Sequence, residues 1–194
     1  MSGSATVTRR RMSYADRHAQ LLESARDFLR TEGSDALTLA RLAEHAGVTK
    51  PLVYQHFGTR SAVLVELYRE FKARTHVALD AALAAGGSTL EDVARIIADA
   101  YIDCIDEEST EVPGVGGALS GSAELEQLRE EADVAFSARC RDALEPFAGP
   151  DGITDGALHA ILGAADGIAR ALVLERTSFE DGRRSLAKVV AGVV

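Results

Sequence analysis

Thr49-Lys50-Pro51-Leu52 and Tyr54-Gln55-His56 place an ammonium, an amide, a phenol, an imidazole and a hydroxyl within eight residues, with no carboxylate among them. On the outer face of one helix, such a set can donate to phosphate oxygens and reach base edges. The surface is small, polar and not acidic, which suits the major groove of DNA. The surrounding residues must supply a helix that projects it.

They do so by periodicity. Leu39, Leu42, Ala43 and Ala46 recur at i, i+3, i+4 and i+7, one apolar face of a short helix. Thr38 stands where an N-cap belongs, and Gly47 follows the last periodic residue, the usual place for a left-handed stop. Val48 is apolar inside the turn. Thr49 can cap the next helix, and Pro51 is tolerated there because the first turn has no intrahelical N–H bond to lose. Val53 and Phe57, four apart, face inward, and Gly58 ends the helix. Two short helices joined by a Gly turn form a helix-turn-helix, whose second helix enters the groove.

Charge supports this division. Residues 1–75 hold 12 Lys and Arg against 8 Asp and Glu, a net of +4, whereas residues 76–194 hold 9 against 22, a net of −13. A basic amino-terminal part releases counterions from DNA, and an acidic body stays clear of it.

The run Thr38-Leu39-x-x-Leu42-Ala43-x-x-Ala46-Gly47-Val48-Thr49-Lys50-x-x-x-Tyr54-x-His56-Phe57 resembles the DNA-binding domain of TetR-family transcriptional regulators. The preceding helix agrees, with Leu21, Leu22, Ala25, Phe28 and Leu29 on one face and Gly33 ending it. The resemblance covers about residues 13–72. It implies that Thr38, Thr49, Tyr54, His56 and Arg60 belong to the DNA-contacting set, with Thr38, Tyr54, His56 and Arg60 meeting phosphate. It also implies that Lys50, Pro51, Leu52 and Gln55 reach base edges or the thymine methyl. Gln55 can pair with adenine N6 and N7. The chain departs from the family pattern at Ala40, where relatives carry a long polar side chain, at Ser34 for an aromatic, at Gly58 for Lys, and at Ser61-Ala62 for an acidic pair.

The expected architecture is all-α. A basic tail (1–12) precedes a three-helix DNA-binding domain (13–59) and a helical ligand-binding and dimerisation domain (60–194). A helix of about 60–85, behind a Thr59 cap, links the two domains. Arg9-Arg10-Arg11 reads as a disordered tail or as an arm on phosphate or the minor groove. Ser88 with Glu91 suggests a capping box for the next helix, whose apolar face is Leu90, Val93, Ile96, Ile97, Ala100, Tyr101, Cys104 and Ile105. Residues 109–121 are expected to be a loop with at most a short helix, followed by a long helix from Ser122. Two final helices are expected over 154–175 and 178–194.

The last pair implies a homodimer. Ala160, Gly163, Ala164, Gly167, Ala171 and Leu174 line one side of a helix, and the chain ends with the apolar run containing Val189 and Val190. The alternative is that both stripes complete the core of one subunit. A two-fold dimer reads a palindromic operator, which one recognition helix cannot.

The resemblance further implies a small-molecule effector in an apolar cavity of the second domain, with Tyr68, Tyr101, Cys104, Phe136 and His159 as candidate lining. Ordinary core packing is the plain alternative for each. No metal-ligand spacing, phosphate loop or nucleophile–base pair is present, so neither cofactor nor catalysis is expected. Cys104 and Cys140 read as buried thiols in a reducing cytoplasm, a redox switch being the alternative. The opening residues lack an apolar segment after their charges, which argues against secretion, and no membrane association is expected. The reading is thus a ligand-released dimeric repressor. Its alternatives are an activator, a protein of this fold that no longer binds DNA, and an enzyme using the cavity.

Overall fold

The computed structural model describes residues 12–194, in which nine α-helices and one short 3₁₀ turn account for the regular structure. The Arg9–Arg11 run lies outside them. Three helices, α1 (Tyr14–Glu32), α2 (Leu39–His45) and α3 (Lys50–Phe57), form the amino-terminal domain. The long α4 (Arg60–Ala85) leads into α5 (Leu90–Glu111), the single-turn α6 (Val115–Ala118), α7 (Ala123–Leu144), α8 (Asp155–Val173) and α9 (Phe179–Gly192).

Local chemistry sets the boundaries. Thr38, Thr59, Ser122, Thr154 and Ser178 each accept an N–H of the following first turn through the side-chain oxygen. Gly47 and Gly58 take φ of +63° and +70°, so the two stops flanking α3 use backbone that a β-carbon would strain. Thr49 sits at the N-cap of α3 without a side-chain cap bond. The capping box expected from Ser88 and Glu91 is displaced by one residue. Thr89 is the cap and accepts from the Asp92 N–H, because α5 begins one position later than the spacing suggested.

Two apolar clusters organise the chain. The first joins α1, α2, α3 and the start of α4 through Leu21, Phe28, Leu42, Val53, Phe57 and Leu67, and continues into Val112, Val115, Leu119, Leu125 and Leu128. The segment expected to be a loop is therefore anchored. Its apolar residues plug the base of the DNA-binding domain, and α5 extends to Glu111. The second cluster lies around α5, with Ile97, Ile102, Phe136, Cys140, Ile161, Leu186 and Val190 at its centre. The end of α4 joins it through Leu79, so α4 contributes to both clusters.

Candidate nucleic-acid interface and ligand cavity

Helix α3 buries Val53 and Phe57 and turns its remaining residues outward. Lys50, Pro51, Tyr54 and Gln55 are exposed, and Leu52 and His56 are half-buried. Lys50 lies 3.5 Å from Glu44, an exposed pair of little energetic weight that leaves the ammonium free to turn to phosphate. Thr38 accepts the Arg41 N–H at 3.1 Å, and its own hydroxyl hydrogen remains available for donation. Exposed Thr49, with no side-chain cap bond, borders the same face.

Arg60 is placed differently from the expectation. Its Nε donates to the Leu37 carbonyl at 3.0 Å and its Nη2 to the Ser34 carbonyl at 2.8 Å. The chain between α1 and α2 leaves these carbonyls without helical partners, and the first residue of α4 faces them. The guanidinium is thereby directed into the protein, and a free phosphate contact by Arg60 is corrected to a structural clamp.

His56 has the most elaborate surroundings. The Tyr14 ring stacks on it at 4.2 Å, and His18 Nδ1 lies 3.2 Å from His56 Nδ1. His18 Nε2 lies 2.6 Å from a carboxylate oxygen of Glu66 on α4. Burial, with His18 and Arg17 adding to it, lowers the His56 pKa below its ordinary 6.5. His18 and Glu66 escaped the sequence reading because they stand 38 and 10 residues from His56 on other helices.

Between α4, α5, α6, α7 and α8 lies a cavity of about 650 Å³. Tyr68, Tyr101, Cys104 and Phe136 line it as expected, the Tyr101 and Phe136 rings 5.3 Å apart. His159 does not. It is exposed on α8, with Nδ1 2.6 Å from the Asp155 carbonyl one turn earlier, and borders instead a more open hollow between α7 and α8. The expected apolar character also needs correction, since Lys72, Glu108, Arg129, Asp133, Asp166 and Arg170 share the wall.

Lys72 donates to Glu108 at 3.2 Å and toward the Cys104 sulfur at 3.4 Å, with its ammonium over the Tyr68 ring. Burial works against that charge, but Cys104, Tyr68 and Glu108 outweigh it and raise the Lys72 pKa. The Tyr101 hydroxyl donates to Asp166 at 3.1 Å. Burial, then proximity to Asp166, pushes the Asp133 carboxyl up. Burial likewise pushes the Cys104 thiol up, and the Cys140 thiol to about 12, so both are held as thiols.

Helix α8 leaves an apolar face uncovered. It is long and apolar enough to cross a membrane by length and composition, yet only 22% of that stretch is buried. Ala160, Gly163, Gly167 and Leu174 are exposed, and Ala164 and Ala171 are half-buried. On α9, Val189 is half-buried. Val190 is fully buried within its own subunit's second cluster, so that residue is corrected from a partner surface to core. Among the described residues, no group of three or more His, Cys, Asp or Glu side chains could hold a metal ion.

Residues 21–67 match the family described as bacterial regulatory proteins, tetR family. The sequence matches none of the curated proteins. Solved structures agree along nearly the whole chain. A TetR-family regulator from Mesorhizobium loti superposes with a TM-score of 0.73 at 16% identity, covering 94% of this chain and 97% of that one. The transcriptional regulator FadR from Bacillus subtilis, solved with stearoyl-CoA, gives 0.69 at 14% identity, covering 91% and 99%. SmeT in complex with triclosan gives 0.67 at 17%, covering 90% of each. At these identities the structural likeness is one of fold, and the matched segment is the one that builds α2, α3 and the contact surface described above. Residues 21–67 thus form a DNA-binding domain of the kind described for bacterial regulatory proteins of the tetR family, on a chain that shares the overall fold of solved TetR-family regulators.

Proposed function

We propose that the protein is a homodimeric repressor that binds a palindromic operator and is released by a small molecule held in the cavity. One observation carries this reading. Helix α4 opens at Arg60, clamped to the segment before α2, and passes through Tyr68, Lys72 and Leu79 on the cavity wall. A single helix thus belongs to both sites. A ligand that favours one setting of α4 changes the spacing of the two recognition helices, and linkage makes the effect reciprocal.

Thr38, Thr49, Tyr54 and His56 are assigned to phosphate, and Lys50, Pro51, Leu52 and Gln55 to the groove. Tyr68, Tyr101, Cys104 and Phe136 are assigned to the effector. The complexes of B. subtilis FadR with stearoyl-CoA and of SmeT with triclosan support a small-molecule effector for this fold. The bare face of α8 is assigned to a second copy of the chain rather than to a lipid bilayer. Asp166 and Arg170 lie within that helix, and a bilayer around it would have to bury both charges. The protein is accordingly placed in the cytoplasm with its promoter.

The test is fluorescence anisotropy with duplex DNA from upstream of the gene and with duplexes selected from a random pool. Nanomolar binding with a large excess over scrambled sequence is expected. Sequence-indifferent binding, or none, overturns the operator reading and leaves a ligand-binding protein of the same fold.

A further inference from the structure

We propose that His18 and Glu66 are positioning residues for His56, arranged so that binding of operator DNA draws one proton into the His18–His56 pair. The inference rests on the reading of His56 as a phosphate contact. The geometry begins at Glu66, whose carboxylate on α4 accepts from His18 Nε2 across 2.6 Å, placing a proton on that nitrogen. The two Nδ1 atoms, 3.2 Å apart, can share only one further proton in a hydrogen bond. With two protons in the pair and both rings neutral, His56 donates Nδ1–H to His18, and its Nε2 carries a lone pair. A lone pair facing a phosphate oxygen is repulsive.

His56 Nε2 donates to phosphate only when the pair holds a third proton. This holds whichever ring carries the charge. Either His56 is the imidazolium, or His18 is, with its Nδ1–H donated to His56 and its Nε2–H to Glu66. The phosphate then stabilises a cation that the free protein disfavours.

The groups facing His56 act in that direction. From α1 come Tyr14, stacked at 4.2 Å, His18, and the guanidinium of Arg17; from α4 comes Glu66, one ring removed. Burial first, then His18 and Arg17, oppose a positive charge on His56 in the free protein, and Glu66 only partly offsets them. A third proton on His56 is therefore disfavoured until a phosphate faces the ring. Three helices are spanned by one hydrogen-bonded chain, which also ties the recognition helix to α4.

Linkage sets the sign. A proton taken up on binding weakens affinity as pH rises, by about tenfold per unit where the free pair holds two protons and the bound pair three. Glu66→Leu separates a proton relay from simple packing. Without a carboxylate to hold a proton on His18 Nε2, that proton can move to Nδ1 and be donated to His56, whose own proton moves to Nε2. Two protons then suffice for the phosphate contact, so binding persists and the pH slope is lost. His18→Phe has the same effect, because neutral His56 is then free to carry its proton on Nε2.

The measurement is the dissociation constant of an operator duplex, selected from a random pool, between pH 6 and 8 at fixed salt. Calorimetry in two buffers of different ionisation enthalpy counts protons directly. Uptake approaching one proton in the native protein and near zero in either variant is the expected result. A flat native profile, or a slope kept by both variants and so owed to another group such as His45, overturns the inference while leaving DNA binding intact. Failure of the native protein to select any duplex at any pH instead overturns the operator reading, and this inference with it.

Discussion

Gly114 and Ser34 touch across the two domains so closely that a β-carbon on Gly114 would lie 2.6 Å from the Ser34 hydroxyl oxygen. Gly114 precedes α6, lines the cavity and holds φ at +71°, while Ser34 is buried beyond the end of α1. The small side chain at 34 is the counterpart of that approach. The Ser34 carbonyl also accepts from Arg60. The cavity wall and the start of α4 thus meet at one residue of the DNA-binding domain.

Gly114→Ala is expected to push α6 away from Ser34 and to force an L side chain into left-handed backbone, costing about 1–3 kcal/mol. Urea unfolding measures that loss. Effector titration of the DNA complex should show weakened coupling, and unchanged coupling would remove this contact from the allosteric route.

Arg60→Ala is expected to destabilise the amino-terminal domain by about 1.5–3 kcal/mol, the range for hydrogen bonds from a charged donor. The salt dependence of DNA binding should stay the same, because the guanidinium serves Leu37 and Ser34. A salt slope reduced by about one unit would restore it to phosphate.

Gln55→Ala should behave in the opposite way. Exposed on α3, Gln55 is expected to govern one operator position, so its loss relaxes base preference there by about 1–3 kcal/mol with little change in stability. Competition among duplexes varied at single positions reads this. Equal weakening for all sequences would reassign it to the backbone.

A carboxylate on the bare face of α8 should separate the subunits. A β-carbon at Gly163 or Gly167 meets nothing within 4 Å in one subunit, so Gly163→Glu leaves the monomer's own packing intact. Sedimentation should show a dimer for the native chain at micromolar concentration and a monomer for the variant. A monomeric native chain would contradict the proposed operator geometry.

His76, beside the cavity, has its pKa lowered by burial first and then by Arg139 and Lys72. Its unfolded counterpart binds a proton more readily, so stability is full above about pH 6.5 and declines as pH falls toward the lowered folded value. His56 adds to this in the same sense. His76→Asn is expected to flatten part of the decline between pH 7.5 and 5.5 in urea melts. An unchanged profile would mean that His76 takes up its proton in the folded state.

Helix boundaries, the buried residues of α1 to α3 and the outward-facing residues of α3 were legible along the chain because each rests on neighbours in sequence. Caps act within three residues, apolar faces recur every three or four, and a Gly stop needs only its own φ. The one-residue error at Ser88 shows the limit of such rules when Ser and Thr adjoin and both can cap. What local pattern could not decide was direction and company. Arg60 reads as a free cation until the Ser34–Leu37 carbonyls are set beside it, and Val190 reads like Val189 until α9 is rotated onto α5. His159 and Cys104 are equally plausible cavity residues until the two helices are packed. The charged lining of the cavity and the Glu66–His18–His56 chain join residues tens of positions apart. Sequence alone therefore determined the elements, the resemblance of residues 21–67 to the tetR-family DNA-binding domain and the outward face of α3. Tertiary packing decided which polar groups face each other, because hydrogen bonds and charge pairs depend on ångström-scale distances between helices that spacing along one helix does not encode.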